Sequence, residues 1–200
     1  MRIAILSDSH DQVLHLHRAI DYLHQAGVEI LIHCGDLISP FMLKHLSRFK
    51  GQVHLIYGNN AGDQHLVSSR SKELENIHHH GIFGFITVDG LKIAFHHYPE
   101  LAHSIAKTGE FDVICYGHNH ICETQYMNGC LLLNPGDLLG KEVAPGFLIF
   151  NTADTSVERI TVGTPMDFEA QFSPTIHQMV LSSTPSNQTI IQNELQQPTE

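Results

Sequence analysis

Short apolar runs alternate with amphipathic segments at the start of the chain, and this alternation constrains the fold more than any other feature. The apolar runs at 3–6, 28–32 and 53–57 are typical of strands. Between them, apolar side chains recur at three- and four-residue spacing over 13–23, and 41–49 has the character of a second helix. A strand–helix–strand–helix–strand order predicts a parallel sheet with right-handed crossovers.

The later part of the chain is richer in strand signals. Runs at 82–88 and 91–95 flank Asp89-Gly90, a dipeptide typical of tight hairpins. A helix is expected over 99–107. These patterns predict an α/β architecture whose second part is mainly antiparallel. Further strands with only turns between them are expected at 113–116, 130–134, 147–150 and 157–162.

Composition excludes several functional classes. The formal net charge of −10 leaves no basic field to hold long nucleic acid or anionic lipid. No apolar run approaches the roughly 18–20 residues of a membrane span, so no membrane partner is expected. The four cysteines lack Cys-x-x-Cys spacing and are too few for a disulfide scaffold, which predicts a reducing, cytoplasmic location. A homo-oligomer is compatible with the sequence.

The 200 residues fit one compact domain followed by a different kind of segment. Residues 1–163 are expected to form the domain. The segment 164–200 contains no lysine or arginine and half of the eight prolines, and Gln, Ser and Thr dominate it. This composition predicts a poorly ordered tail, although its apolar runs at 179–181 and 190–191 could dock on the domain or on a neighbouring subunit.

Five predicted strands are each followed by side chains that commonly bind metal ions. Histidine, with 17 copies, outnumbers lysine and arginine together. In open α/β sheets the carboxyl ends of the strands converge on one edge, which is where ligands bind. The candidate ligands are Asp8, His10, Asp36, Asn59, one of His96 and His97, His118 and His120.

The types of side chain in this set indicate which ions it would hold. Carboxylates, imidazoles and one amide, without a thiolate, suit divalent transition ions, with manganese expected and iron, zinc or nickel as alternatives. Seven ligands are too many for one tetrahedral ion. They suit two ions that share a bridging carboxylate, an arrangement that can hold a phosphoryl group and ionise the attacking water.

The order of these motifs resembles a known family. The motifs Asp8-Ser9-His10, Gly35-Asp36, Gly58-Asn59-Asn60, His96 and Gly117-His118-Asn119-His120 are similar to the five blocks of the calcineurin-like metallophosphoesterase superfamily. Short length and the Asn134-Pro135-Gly136 turn make the chain most similar to the small single-domain phosphodiesterase branch.

The resemblance implies a fold and a ligand set. The fold would be a four-layer α/β/β/α sandwich of two mixed sheets flanked by helices, with a dinuclear site between the strand ends. By this resemblance Asp36 bridges the two ions. One ion would be held by Asp8, His10, Asp36 and His120, and the other by Asp36, Asn59, His96 and His118.

The chain departs from the family pattern at the third block. Many members carry Gly-Asn-His-Asp, whose histidine contacts the phosphate and can protonate the leaving oxygen. Asn60 stands at that position here and can donate a hydrogen bond but cannot act as a general acid. His97, beside His96, is a candidate replacement donor. We therefore expect good activity on activated aryl phosphodiesters and weaker activity on alkyl esters.

The predicted function is hydrolysis of small-molecule phosphodiesters by attack of a metal-bound hydroxide. A phosphomonoesterase is one alternative. Another is a non-catalytic protein-binding scaffold, because a subunit of the eukaryotic retromer coat has the same fold and works chiefly through protein contacts. Retention of all seven ligands favours the hydrolase.

Other histidines lie outside this pattern. His33 could hydrogen-bond a metal ligand from behind. His15, His17, His24, His45 and His54 are expected to serve packing or the surface, and the run 78–80 is expected in a loop that could bind stray metal.

Overall fold

The computed structural model describes residues 1–165, and the predicted polar tail lies outside the described residues apart from Thr164 and Pro165. The helices are α1 (Val13–Gln25), α2 (Met42–Leu46), α3 (Gln64–Ser71) and α4 (Pro99–Ala106). The strands are β1 (Arg2–Leu6), β2 (Ile30–His33), β3 (Gln52–Leu55), β4 (Ile77–His79), β5 (Phe83–Val88), β6 (Leu91–His96), β7 (Val113–Cys115), β8 (Cys122–Met127), β9 (Cys130–Pro135), β10 (Gly146–Asn151) and β11 (Val157–Thr161).

The first sheet joins the beginning and the end of the described chain. Its strand order is β11-β10-β1-β2-β3-β4. Strands β1 to β4 run parallel, and each crossover carries a helix. The strand–helix alternation predicts this arrangement for β1 to β3, and β4 extends the sheet by one strand. Strand β10 pairs antiparallel with β1, with Ala4 opposite Ile149. Strand β1, which leads into the first candidate ligands, is therefore held on both sides.

The second sheet has the order β5-β6-β7-β9-β8. Its three inner strands are parallel, and β5 and β8 pair with them antiparallel as hairpin partners. The Asp89-Gly90 turn joins β5 to β6 as predicted, and both residues have positive φ. Both sheets are thus mixed, and the second is less antiparallel than the sequence predicts.

Three apolar clusters separate four layers. The first lies between the first sheet and α1 to α3 and includes Leu16, Leu31 and Leu43. The second fills the space between the two sheets, and the third lies between the second sheet and α4. The predicted four-layer α/β/β/α sandwich is confirmed.

Three elements have weak signals in the sequence. Helix α3 is mostly polar, and its beginning is fixed by Asp63, whose carboxylate accepts a hydrogen bond from the Leu66 backbone N–H at 2.9 Å. Strand β8 is an edge strand with alternating polar residues. Strand β4 contains part of the histidine run 78–80, which the sequence places in a loop; pairing with β3 overrides the low strand propensity of its residues.

None of the helices within residues 1–165 is long and apolar enough to cross a bilayer.

Candidate metal centre

The predicted ligands lie in loops that leave the carboxyl ends of parallel strands. These loops contain seven residues with positive φ that are not glycine, and five of the seven are candidate ligands. Such a conformation is sparsely populated for residues with a side chain, and it persists only where surrounding contacts enforce it. The loops are therefore built to aim these side chains at one place. The five residues are Asp8, His10, Asp36, His118 and His120.

Asp8, His10 and His120 form a first group of converging side chains. The His120 Nε2 atom lies 3.4 Å from Asp8 Oδ1, and His10 Nε2 lies 3.8 Å from the same oxygen. Both Asp8 Oδ1 and His10 Nε2 are buried without a hydrogen-bond partner. Atoms that each lie about 2.1 Å from one cation are separated by roughly 3–3.4 Å. The His120–Asp8 distance fits ligands of a shared ion, and the His10–Asp8 distance is a few tenths of an ångström longer.

Asp36 and His97 form a second group together with Asp8. His97 Nε2 lies 3.5 Å from Asp36 Oδ1 and 2.9 Å from Asn59 Oδ1. His118 Nδ1 lies 2.8 Å from the same Asn59 oxygen. Because Asp36 Oδ2 is also 3.4 Å from His10 Nε2, this carboxylate faces both groups.

The protonation of His97 follows from its other nitrogen. The Nδ1 atom lies 2.8 Å from the backbone oxygen of Cys34, which can only accept, so Nδ1 carries the proton. In the neutral ring Nε2 then presents a lone pair to the Asn59 Oδ1 atom, and two acceptors face each other. A bound cation would satisfy both atoms.

His96 is not brought into either group. Along β6, Ile93 and Phe95 face the space between the sheets, whereas Ala94 faces α4. Successive residues alternate between the faces, so His96 falls on the α4 side and His97 on the side of the centre. The ring of His96 packs near Phe83, and its Nδ1 accepts a hydrogen bond from the backbone N–H of Tyr98. This alternation is a signal that the sequence analysis did not use.

Asn60 lies at the edge of the centre. Its side-chain amide donates to Asp36 Oδ2 at 2.6 Å, and its backbone N–H donates to Asp36 Oδ1 at 2.8 Å. Two hydrogen bonds thus hold the carboxylate that faces both ligand groups. The side chain of Asn60 is exposed, so a small molecule bound at the centre could contact it.

Glycines allow the loops to approach one another closely. A Cβ atom at Gly58 would collide with the Asp36 carboxylate, and one at Gly117 would collide with Ser7 and Asp8. At Gly35, where φ is +107°, a Cβ atom would lie 2.7 Å from His97 Nδ1. Each of these glycines therefore keeps space for a candidate ligand.

The electrostatics of the centre favour positive charge between its carboxylates. Burial opposes ionisation of Asp8, but the nearby imidazoles of His10 and His120 and a hydrogen bond from the Ser7 hydroxyl outweigh it and hold the pKa of that carboxyl well below its usual range. The carboxylate of Asp137, and after it that of Asp8, lies against the His120 ring and raises the pKa of His120 to about 10. Both shifts show a site that would attract a cation.

Two residues behind the ligands support them. His33 is fully buried, and its Nε2 lies 3.1 Å from Ser9 Oγ, in the loop between Asp8 and His10. Burial lowers the pKa of His33 to about 4, so the ring is neutral near pH 7. Asp137 is buried and lies 3.1 Å from His120 Nδ1, which fixes the orientation of that ring. Asp137 is not among the residues predicted from the sequence, although it follows β9 as the predicted ligands follow their strands.

Replacement of Asp137 tests this supporting role. We expect Asp137→Asn to weaken metal binding by about 10–100-fold, because the carboxylate orients His120 and raises its basicity. The loss should be visible as a higher metal concentration needed for half-maximal activity. Asp154→Asn is the control, since Asp154 is exposed and bonds only to Ser156 and its own turn. Unchanged metal affinity in Asp137→Asn would contradict the assignment.

Two mixed sheets flanked by helices, with carboxylates and imidazoles gathered at their strand ends, define a protein with the metallophosphoesterase fold. The chain belongs to the calcineurin-like phosphoesterase superfamily, whose domain model matches residues 1–155. The predicted family and the predicted class of enzyme, a phosphoric ester hydrolase, are confirmed.

Relatives and solved structures support the same branch. Phosphodiesterase MJ0936 of Methanocaldococcus jannaschii is 31% identical over 142 residues, which cover 70% of this chain and 86% of that protein. The structure of an archaeal phosphodiesterase superposes with a TM-score of 0.76 at 28% identity, covering 80% of this chain and 99% of that one. A Vps29 variant from Entamoeba histolytica has a TM-score of 0.58 at 19% identity, covering 80% of this chain and 99% of its own, and shows a shared fold only.

Proposed function

We propose that the chain hydrolyses small-molecule phosphodiesters with two divalent transition ions, manganese being the expected one. The ligands would be Asp8, His10, Asp36, Asn59, His97, His118 and His120. This set follows the predicted one except that His97 replaces His96. The observation that carries the proposal is the facing pair of acceptors, His97 Nε2 and Asn59 Oδ1, beside the buried, unpartnered oxygen of Asp8.

The donor set fits the ions. Carboxylate, imidazole and amide groups suit manganese, iron, zinc or nickel, and an all-oxygen shell for magnesium or calcium would not use the imidazoles. When bound, two such ions would lower the pKa of the attacking water and neutralise charge on the phosphoryl oxygens. The protein places Asp36 where it would contact both ions, and Asn60 holds that carboxylate through two hydrogen bonds.

The contacts of His97 fit a metal ligand better than the proton donor that was considered from the sequence. One nitrogen donates to the Cys34 carbonyl and the other faces Asn59 and Asp36, so neither is directed to a leaving group. The centre would then lack a histidine acid at the position of Asn60. Esters with acidic leaving groups, which need no proton, are the substrates that this arrangement favours.

A metal count and a substrate screen test the proposal together. The protein, purified without chelator, should carry close to two transition ions per chain, and Mn²⁺ should raise its melting temperature, because an ion that binds only the folded state stabilises it. The Mn²⁺-loaded protein should hydrolyse aryl phosphodiesters faster than aryl phosphomonoesters or alkyl diesters. Equal activity after complete metal removal would refute the proposal.

Restoring the missing acid gives a second test. We expect Asn60→His to keep its metal content, because the backbone N–H of residue 60 still donates to Asp36. Turnover of alkyl phosphodiesters should rise by about 10–100-fold, with little gain on nitrophenyl esters, because only a poor leaving group needs a proton. Parallel rate measurements on the two ester classes check this. A matched control is Asn60→Gln, which keeps an amide. An equal change on both classes would show that position 60 does not act on the leaving group.

The four cysteines are free, and Cys34, Cys115 and Cys130 are buried. We propose on this basis that the enzyme works in the reducing environment of the cytoplasm.

A further inference from the structure

A second group of imidazoles lies at the β4 edge of the first sheet, outside the ligand groups described above. His54 on β3 and His78 on β4 are register partners, and their rings stack with centroids 5.2 Å apart. His80 follows β4, and its Nε2 lies 2.9 Å from His54 Nδ1. The three residues His54, His78 and His80 are called the histidine ladder below.

Strand alternation selects these three residues from the histidine run. His79 lies between His78 and His80 but on the opposite face, where its ring contacts Tyr57 with centroids 4.1 Å apart. The ladder therefore combines alternate members of the run with a histidine of the neighbouring strand. This is how a sheet brings three imidazoles together without a continuous motif.

The surroundings of the ladder are apolar on one side and open on the other. Phe95 packs against His54 and His80, with ring centroids 6.2 and 5.1 Å apart. His54 is 7% exposed, whereas His78 is exposed and gives access from solvent. Among residues 1–165 no ion pair joins the ladder to a carboxylate. The metal ligands that the ladder can offer are therefore imidazole nitrogens.

We propose that the histidine ladder binds one divalent transition ion in addition to those of the phosphoesterase centre. His54 Nδ1 and His80 Nε2 share a hydrogen bond of 2.9 Å, and an ion would take the place of the shared proton. Two nitrogens each about 2.0–2.1 Å from an ion are roughly 2.9–3.4 Å apart for angles between 90° and the tetrahedral value, so a small separation of the two rings would accommodate it. The ring of His78 stacks on His54 in this structure, and rotation of this exposed side chain would bring a third imidazole to the pair. Zinc, copper and nickel are the ions that such nitrogen donors prefer.

The protonation state of the ladder suits this role. Burial, reinforced by His80 and His78, lowers the pKa of His54 to about 4. Burial and His78 also lower the pKa of His80. Near neutral pH these imidazoles are therefore unprotonated, as a metal ligand must be.

A count of bound zinc tests the ladder. Full-length wild type and the double variant His54→Phe/His80→Phe would be dialysed against low-micromolar free Zn²⁺, and bound zinc would be measured by mass spectrometry. We expect the variant to bind one ion fewer per chain and to keep its phosphoesterase activity. Phenylalanine retains the ring contacts with Phe95, and the melting temperature after chelation checks that the fold is intact.

A control pair and a single variant make the result specific. His17 and His45 also place two ring nitrogens 2.8 Å apart, but no third imidazole contacts them among the described residues. His17→Phe/His45→Phe should leave the zinc count unchanged. His78→Ala, at an exposed position that does not endanger folding, should weaken binding of the additional ion.

Three results would overturn the proposal. They are equal zinc counts in wild type and the ladder variant, a loss in the His17/His45 control equal to that in the ladder variant, and wild-type affinity in His78→Ala. The difference between wild type and variant does not depend on the phosphoesterase centre, so this test and that of the proposed function fail separately.

Discussion

Asp36→Asn is expected to lose both ions and to lower phosphodiesterase activity by at least about 10²–10³-fold. Asp36 is 2% exposed, and its two oxygens lie 3.4 Å from His10 Nε2 and 3.5 Å from His97 Nε2, one in each ligand group. An amide removes the negative charge and one of the two acceptors, so neither ion keeps its shared ligand. Metal analysis and initial rates on an aryl phosphodiester measure the two losses.

A nearby carboxylate supplies the matched control for Asp36. Asp11 lies in the loop after β1 and contacts the loop after β2, which carries Asp36. Its oxygens accept hydrogen bonds from the backbone N–H and the hydroxyl of Ser39 in that second loop. Asp11→Asn should therefore retain two ions and most of the activity. If Asp36→Asn kept its metal, or if both variants lost it equally, Asp36 would not be the bridging ligand.

His97→Ala and His96→Ala are expected to differ by at least about 10²-fold in activity, a loss comparable to removal of one catalytic electrostatic group. Only His97 faces Asp36 and Asn59, and its ring is fixed by the Cys34 carbonyl. His96 packs near Phe83, so its truncation removes a contact and no ligand. Metal content and rate should fall in His97→Ala and persist in His96→Ala.

The pair of variants is its own control, because the residues are adjacent and both are buried. A melting curve after chelation separates loss of metal from loss of fold. The opposite ranking would mean that β6 is shifted by one residue, since a shift of one residue exchanges the two faces of a strand.

The fold was largely predictable because most strands are short apolar runs bounded by polar loops. Strands β1 to β3 alternate with helices, and this pattern directly implies the parallel sheet. Helix α3 and strands β4 and β8 were not predictable in this way. Their residues are mostly polar. A cap fixes the beginning of α3, pairing with β3 fixes β4, and the hairpin with β9 fixes β8. Local composition does not contain this information.

The sequence was sufficient to place the candidate site at the carboxyl ends of the strands. Ligands such as Asp8 and Asp36 follow apolar strands, so their position is given by the parallel topology. The choice between His96 and His97 needed the alternation of Ile93, Ala94 and Phe95, because it depends on which face of β6 meets the other sheet. The order of the blocks alone does not contain that information.

Asp137 was missed for a different reason. It contacts the back of His120 and no substrate, so it belongs to no pattern of converging ligands in the sequence. The two positions are 17 residues apart, and the chain between them forms the β8–β9 hairpin, whose register pairs Cys122 with Pro135 and so brings position 137 beside position 120.

The pairing of β10 with β1 affects when the candidate metal centre can form during translation. The loop with Asp8 and His10 leaves a strand whose second neighbour lies about 145 residues later in the chain. The backbone N–H groups of Leu138 and Leu139 donate to the carbonyls of Ser7 and Asp8, so this loop too depends on late residues. A nascent chain therefore completes the contacts of this loop only after residues 138–151 have been synthesised. Binding of the proposed ions should accordingly follow synthesis of nearly the whole domain.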